Sequence, residues 1–330
     1  MDHRFLGPTG VRVSRLCLGT MTFGGDADEE TSAALFHRCR EAGLNFFDCA
    51  DVYVKGRSEE ILGRLIAPCR DEVVIASKAY FPTSDDPNAR GSSRYHLVRA
   101  VEASLRRLGT DRIDLYFLHR FDDVTDLEET LRAVEQLVAQ GKILYPAASN
   151  FAAWQVSKAL GVQHRHGWAP LVCVQPMYNL LKRQAEVEIL PMAAAEGLAV
   201  TPYSPLAAGM LTGKYAGESP PEIGRLVSNR MYQTRYGVES YPEIARRFAS
   251  VAREHGHHPA SLAIAWVAAH PAVTAPLIGA RSLEQLEPCL KAVEIEMTPE
   301  LREKISALSP EPPLATDRNE EGTEHSFGLR

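Results

Sequence analysis

The sequence predicts an α/β protein of the (β/α)8 TIM barrel class, preceded by a short β-hairpin and carrying extra helices. One phrase recurs along the chain, an amphipathic helix, a glycine and then a short apolar run: EAGLNFFD at 41, RLGTDRIDLYFL at 107, AQGKILYPAAS at 139 and AEGLAVTPYS at 195. Gly43, Gly109, Gly141 and Gly197 stand where a helix C-cap needs a left-handed residue, and the apolar runs after them suit strands buried on both faces. Such runs occur near 16–19, 46–49, 73–77, 113–118, 143–148, 171–175, 198–203 and 273–278. Eight parallel strands with intervening helices close into a barrel.

The elements follow in order. RFLGPTGVRV reads as a hairpin around Pro8, Thr9 and Gly10, placed to plug the N-terminal end of the barrel. From Tyr95 to Leu108 the apolar positions 97, 98, 101, 105 and 108 share one helical face, as do 127, 131, 134, 137 and 138 between Asp126 and Gln140. Asp126 is a capping residue for the second helix, with Glu128 and Glu129 in its first turn. The long connection between the seventh and eighth strands is polar and rich in Gly and Pro from 213 to 240, then helical near 242–254 and 260–269; a connection of that length is usually functional. Length alone does not choose between one domain and two, but the punctuation assigns 1–330 to a single barrel, with its core at 4–308 and a surface tail at 311–330.

Composition excludes several classes. The 330 residues are 45% hydrophobic and 24% charged, with a net charge of −6 and both signs interspersed, so no basic face is offered to a phosphate backbone. Cysteines 17, 39, 49, 69, 173 and 289 are scattered and contain no C-x-x-C, which suggests neither a zinc knuckle nor a disulfide framework and fits a reducing cytoplasm. The N-terminus lacks the apolar stretch of a signal peptide. Residues 257–280 carry no Lys, Arg, Asp or Glu, but Pro259, Pro271, Pro276 and three histidines favour a core helix followed by a buried strand over a membrane span.

In such a barrel the polar residues just after each strand converge on one mouth: Asp48, Lys78, His119, Ser149 with Asn150, Gln175, Tyr203 with Ser204, and Gly279 with Arg281. Asp48 in FFDCA and Lys78 in VVIASKAY end buried strands, where an unpaired charge is costly, so they are expected to pair. Each of the four residues Asp48, Tyr53, Lys78 and His119 has a bland reading alone: a barrel salt bridge for the first and third, a packing tyrosine, a hydrogen-bonded structural histidine. Their joint occurrence at strand ends points to chemistry.

Those residues resemble the aldo-keto reductase superfamily. GLNFFDCADVYVKGRSEEILG is similar to the stretch around that family's catalytic aspartate and tyrosine, VIASK supplies the lysine and DLYFLHRFD the histidine. LCLGTMTFG, SNF at 149, VQPMYNLLKR, TPYSPLAAGMLTGKY and PLIGARSLEQLE continue the resemblance from Arg4 to Leu308. It implies a tetrad of Asp48, Tyr53, Lys78 and His119, and NADPH-dependent reduction of small aldehydes or ketones. In that chemistry a hydride reaches the carbonyl carbon and an acid must protonate the oxygen; an ammonium beside a tyrosine is expected to lower its pKa from about 10. By the same resemblance the NADPH or NADP cofactor contacts Thr20, Met21, Asp48, Ser149, Asn150, Gln175, Tyr203, Ser204, Pro205, Leu206, Ala207, Ala208, Lys214, Arg225, Gly279, Arg281 and Gln285. Ser149, Asn150 and Gln175 would hold the carboxamide, Tyr203 would stack on the nicotinamide, and Arg281 would bind a 2'-phosphate, its bland alternative being a solvated arginine at a helix start.

Three departures stand out. Val54 replaces the family's usual glycine, Met21 a frequent tryptophan, and Pro288 with Cys289 a frequent Glu-Asn pair at the adenine. Two alternatives stay in view: Lys78 as a Schiff-base lysine in an aldolase, and a non-catalytic cofactor-binding barrel that serves regulation. The expected partner is a small carbonyl substrate, with no nucleic acid and no membrane; oligomeric state stays open, since family members range from monomers to large rings.

Overall fold

The computed structural model describes residues 1–215, 224–316, 318, 320 and 323. Two strands, β1 (His3–Phe5) and β2 (Arg12–Ser14), pair antiparallel around a tight turn that ends at Gly10 with φ 75°. Eight parallel strands follow: β3 (Cys17–Gly19), β4 (Phe46–Asp48), β5 (Val74–Ala79), β6 (Ile113–Leu118), β7 (Ile143–Ser149), β8 (Cys173–Gln175), β9 (Ala199–Val200) and β10 (Leu277–Ile278). They run in the order β10-β3-β4-β5-β6-β7-β8-β9. Backbone bonds from Thr274 N to Val200 O (2.8 Å) and from Leu277 N to Pro202 O (2.9 Å) join the two ends of this sheet and close the ring.

Helices α1 (Glu29–Glu41), α2 (Arg57–Ile66), α3 (Arg94–Leu108), α4 (Leu127–Ala139), α5 (Ala153–His166) and α6 (Ile189–Ala195) connect successive strands. The connection from β9 to β10 holds α7 (Arg225–Ser228), α8 (Arg230–Tyr236), α9 (Tyr241–Glu254) and α10 (Pro259–Ala268); α11 (Leu283–Leu290) and α12 (Pro299–Ser306) end the described fold. The expected caps are formed. Gly43, Gly109, Gly141 and Gly197 have φ between 62° and 84°, and the Asp126 carboxylate accepts the Glu128 and Glu129 amides, a cap worth about 1 kcal/mol. Helix α10 is buried from Ala260 to Ala268 and leads towards β10, as the uncharged stretch required; among the described residues no helix is long and apolar enough to cross a membrane.

Side chains alternate in and out of the barrel. Phe46, Ala76, Leu115, Phe117, Ala147, Cys173 and Ala199 fill the interior together with Leu6 and Val13 of the hairpin, which therefore plugs the N-terminal end. Gly7 makes that plug fit: a Cβ there would meet Val172 O at 2.7 Å and Ala199 N at 3.0 Å, and its φ of 54° suits glycine. The outward faces join the helices in a second, larger core. Sealing one end leaves the C-terminal strand ends as the open mouth.

Candidate active site

Asp48 is the last residue of β4 and Lys78 lies near the end of β5, both on the inward face, two residues beyond Phe46 and Ala76 respectively. Both side chains are essentially fully buried and ion-paired, with the Lys78 ammonium donating to Asp48 Oδ1. It donates also to Cys49 O at 2.7 Å, while Gln175 Nε2 donates to the other Asp48 oxygen at 2.9 Å. Both carboxylate oxygens are thus engaged. Burial works against the Lys78 charge, but Asp48 and Tyr53 outweigh it and raise the lysine pKa, so the group stays an ammonium.

Tyr53 begins the turn Tyr53–Gly56, between β4 and α2. Its ring centre lies 5.2 Å from the Lys78 nitrogen and 6.2 Å from the His119 ring, edge on. Protein atoms crowd the phenol although the residue is only half-buried; desolvation pushes its pKa up to about 12, and Lys78 pulls against it. This corrects the expected lowering: the ammonium acts as foreseen, but burial is the larger effect. His119 follows β6 and packs against Phe81 with ring centres 4.9 Å apart. Desolvation, aided by Lys78, drops its pKa well below the usual histidine value, so the imidazole is neutral. Among the described residues its buried Nδ1 has no hydrogen-bond partner.

Most of the other residues expected at the mouth fall into place around this cluster. Thr20 N donates to Asp48 O at 2.8 Å, and the exposed Met21 follows it. Asn150, at φ 57°, donates to His119 O (2.9 Å) and accepts from the Tyr203 hydroxyl (2.8 Å); Ser149 Oγ donates to Gln175 O at 3.0 Å. After Tyr203 the backbone turns left-handed at Ser204, Ala207, Ala208 and Gly209, with φ values of 59°, 50°, 57° and 93°. Pro205 and Leu206 lie within this turn, in which Ala207 N donates to Ser204 O at 3.0 Å and Gly209 N to Leu206 O at 2.8 Å. Lys214 Nζ lies 3.0 Å from where a Cβ at Gly209 would stand, so a side chain there would take the space the ammonium occupies.

On the other side of the barrel seam, Gly279 lies beside Gly19, and Ser282 caps α11 by accepting from Gln285 N at 3.4 Å. The Gln285 carboxamide accepts from Arg281 N at 3.2 Å. Arg281 is part-exposed and stands 4.0 Å from Asp26. The departure at the adenine end has a structural form: Cys289 is buried, and Pro288 offers its carbonyl to Ser261 at 2.6 Å. Arg225 opens α7, but its side chain lies outside the described residues.

A second layer escaped sequence reasoning. Ser58 Oγ donates to Thr20 O at 2.7 Å and lies 3.2 Å from Cys49 Sγ, tying the start of α2 to the end of β3. Outside β5, Ser77 donates to Glu59 at 2.5 Å, and Glu59 is ion-paired with Arg107 at 2.6 Å. Beside them lies the buried Asp51; among the described residues neither of its oxygens makes a hydrogen bond of good geometry, and the Tyr116 hydroxyl is likewise unpartnered. The alternation of VIASK, which sends Ser77 outward where Lys78 goes inward, was the available signal. A groove of about 510 Å³ between α2 and α3 is lined by Arg64, Arg106 and Arg107, but Arg64 and Arg107 are committed to Glu29 and Glu59 and no tetrad residue borders it.

A buried ammonium held by a carboxylate, a tyrosine beside it and a neutral histidine at the same barrel mouth form a set suited to moving a proton to or from a carbonyl oxygen. Comparison with known proteins agrees. The family model for the aldo/keto reductase family matches residues 15–310. The chain is 40% identical to the "Uncharacterized oxidoreductase YrpG" of Bacillus subtilis (strain 168), over 94% of this chain and 97% of that protein. It is 36% identical to a "Probable voltage-gated potassium channel subunit beta" of Oryza sativa subsp. japonica, covering 96% and 99%. With the "Versiconal hemiacetal acetate reductase" of Aspergillus parasiticus the identity is 32%, covering 91% and 94%. With its barrel and this match along nearly its whole length, the chain belongs to the aldo/keto reductase family and is an oxidoreductase by kinship.

Proposed function

We propose that the protein reduces small aldehydes or ketones with NADPH, the substrate carbonyl entering between Tyr53 and His119. The observation that carries this reading is the convergence of Lys78, Tyr53 and His119 at the barrel mouth, with Lys78 fixed by both Asp48 and Cys49. The residues fit a dinucleotide. Lys214 beside the left-handed turn after Tyr203 suits a pyrophosphate, and Arg281 at the start of α11 suits a further phosphate.

When bound, the reduced nicotinamide supplies the hydride. The phenol of Tyr53, protonated across the neutral range, donates a hydrogen bond to the carbonyl oxygen and then its proton. Lys78 stabilises the phenolate that remains, and Asp48 with Gln175 keeps that ammonium charged and in place. His119, neutral and anchored through its backbone to Asn150 and Ala79, orients the carbonyl. Phe81 and Tyr53 flank His119 and limit water at the reacting atoms. Lys78 serves poorly as a Schiff-base nucleophile, because that role needs a free amine and this one is held charged. A small carbonyl compound is the proposed partner, in the cytoplasm, with neither nucleic acid nor membrane involved.

The test is consumption of NADPH, followed by absorbance, with a panel of aldehydes and ketones. Turnover that Tyr53→Phe abolishes supports the reading. NADPH binding without turnover of any carbonyl would favour the second reading, a non-catalytic barrel, which the printed name of the Oryza sativa relative keeps in view.

A further inference from the structure

The β3–α1 connection is a rigid, hydrogen-bonded turn. Gly25 N and Ala27 N donate to Thr22 O at 3.1 and 3.0 Å, and Gly24 N donates to Ala27 O at 2.7 Å. Thr22 Oγ1 donates to Ala280 O at 2.9 Å, which staples this turn to the residue before Arg281. Asp26 stands at its tip, more than half exposed, with its carboxylate 4.0 Å from the Arg281 guanidinium. Among the described residues Asp26 is the acid closest to Arg281, and the position of each is fixed by neighbouring backbone bonds rather than by the ion pair itself.

We infer that Asp26 sets the cofactor preference by competing with the ribose 2'-phosphate for Arg281; this rests on the reading that Arg281 takes that phosphate. A 2'-phosphate carries about two negative charges, so its arrival must displace Asp26 from Arg281 and bring two like charges close together. A cofactor with a free 2'-hydroxyl meets the opposite situation. Arg281 keeps its counter-ion, and the carboxylate is a natural acceptor for a ribose hydroxyl. Asp26 therefore narrows the gap between NADPH and NADH that Arg281 alone would create. The pair is long and partly solvated, which puts the effect in the range of an exposed ion pair, about two- to fivefold in affinity.

The experiment is fluorescence titration of wild type, Asp26→Asn, Arg281→Ala and the double variant with NADPH, NADH, adenosine 2',5'-bisphosphate and AMP. Asp26→Asn is isosteric at an exposed position, and among the described residues this ion pair is the one polar contact of its side chain, so folding is preserved. The expected result is that Asp26→Asn tightens NADPH and the bisphosphate about two- to fivefold and leaves NADH and AMP unchanged or weaker. The effect should shrink in high salt and vanish when Arg281 is already alanine. An unchanged or reduced NADPH to NADH ratio in Asp26→Asn, or the same gain in the Arg281→Ala background, overturns the inference while leaving Arg281 as the phosphate reader. Equal losses for NADPH and NADH in Arg281→Ala would overturn the underlying reading, and the inference with it.

Discussion

Asp51→Asn should make the protein less sensitive to alkaline pH. Asp51 is buried, and among the described residues neither of its oxygens makes a hydrogen bond of good geometry; desolvation first, and the Glu59 carboxylate second, push its pKa up to about 8, against the pull of Arg107, the neighbouring Val52 amide and Lys78. In the unfolded chain the same group ionises near the ordinary value of 3.8. Between those two values the unfolded state has lost the proton that the native state keeps, so stability falls as pH rises from about 4 to about 8, and then levels off. The full fall attributable to this group is about 6 kcal/mol, at about 1.4 kcal/mol per pKa unit. Asparagine cannot ionise. The variant, indistinguishable from wild type near pH 4 apart from a constant offset, should gain on it progressively up to pH 8. The assay is denaturant unfolding of both proteins across that range, taken as a difference so that all other titrating groups cancel. Parallel curves would refute the reasoning, because they would mean that Asp51 ionises as easily inside the fold as outside it.

Three other outcomes follow from the same geometry. Lys78→Met should abolish turnover and also cost about 3–5 kcal/mol of stability, since it strands the buried Asp48 carboxylate; stability close to wild type in unfolding experiments would show that Asp48 finds another partner. Gly63→Ala places a Cβ 2.6 Å from Leu108 O, so α2 and α3 must separate, and the clash should exceed the helix-propensity gain and lower stability by about 1–2 kcal/mol; an unchanged or raised melting temperature would contradict it. Arg281→Ala should weaken NADPH roughly ten- to a hundredfold and NADH hardly at all, measured by the titrations above.

The barrel was legible because its punctuation is local. Gly43, Gly109, Gly141 and Gly197 mark helix ends through a backbone requirement that few other residues meet, and apolar runs between them leave little choice but buried strands. The buried pair of Asp48 and Lys78 was legible because charged residues at the ends of such runs need a reason. Long-range polar relations were not. Glu59 sits in RSEEIL, which reads as an exposed acidic helix start, yet it is fully buried because Ser77 and Arg107 come to it from β5 and α3. Ala207 and Ala208 carry no left-handed signal of the kind glycine gives, and Asp26 and Arg281 are brought together only when the first and last strands meet at the seam. Val54 is a different case. It adopts a left-handed conformation, at φ 47°, that glycine accommodates more readily, with its side chain turned against Gly25. Such a conformation costs a β-branched residue on the order of 1–3 kcal/mol and persists only where the surroundings enforce it.

The central claim is that Tyr53 delivers the proton while the rest of the site holds cofactor and substrate. It is tested most directly by the single-turnover rate of NADPH oxidation by an aldehyde in wild type and Tyr53→Phe, together with the NADPH dissociation constant of each. The expected result is a rate lowered by about 10²- to 10⁴-fold with cofactor affinity nearly unchanged, because the phenylalanine keeps the ring beside Lys78 and His119 and removes only the acid. A variant that turns over at a rate near that of wild type would show that the proton comes from elsewhere, and the assignment of this site would fail.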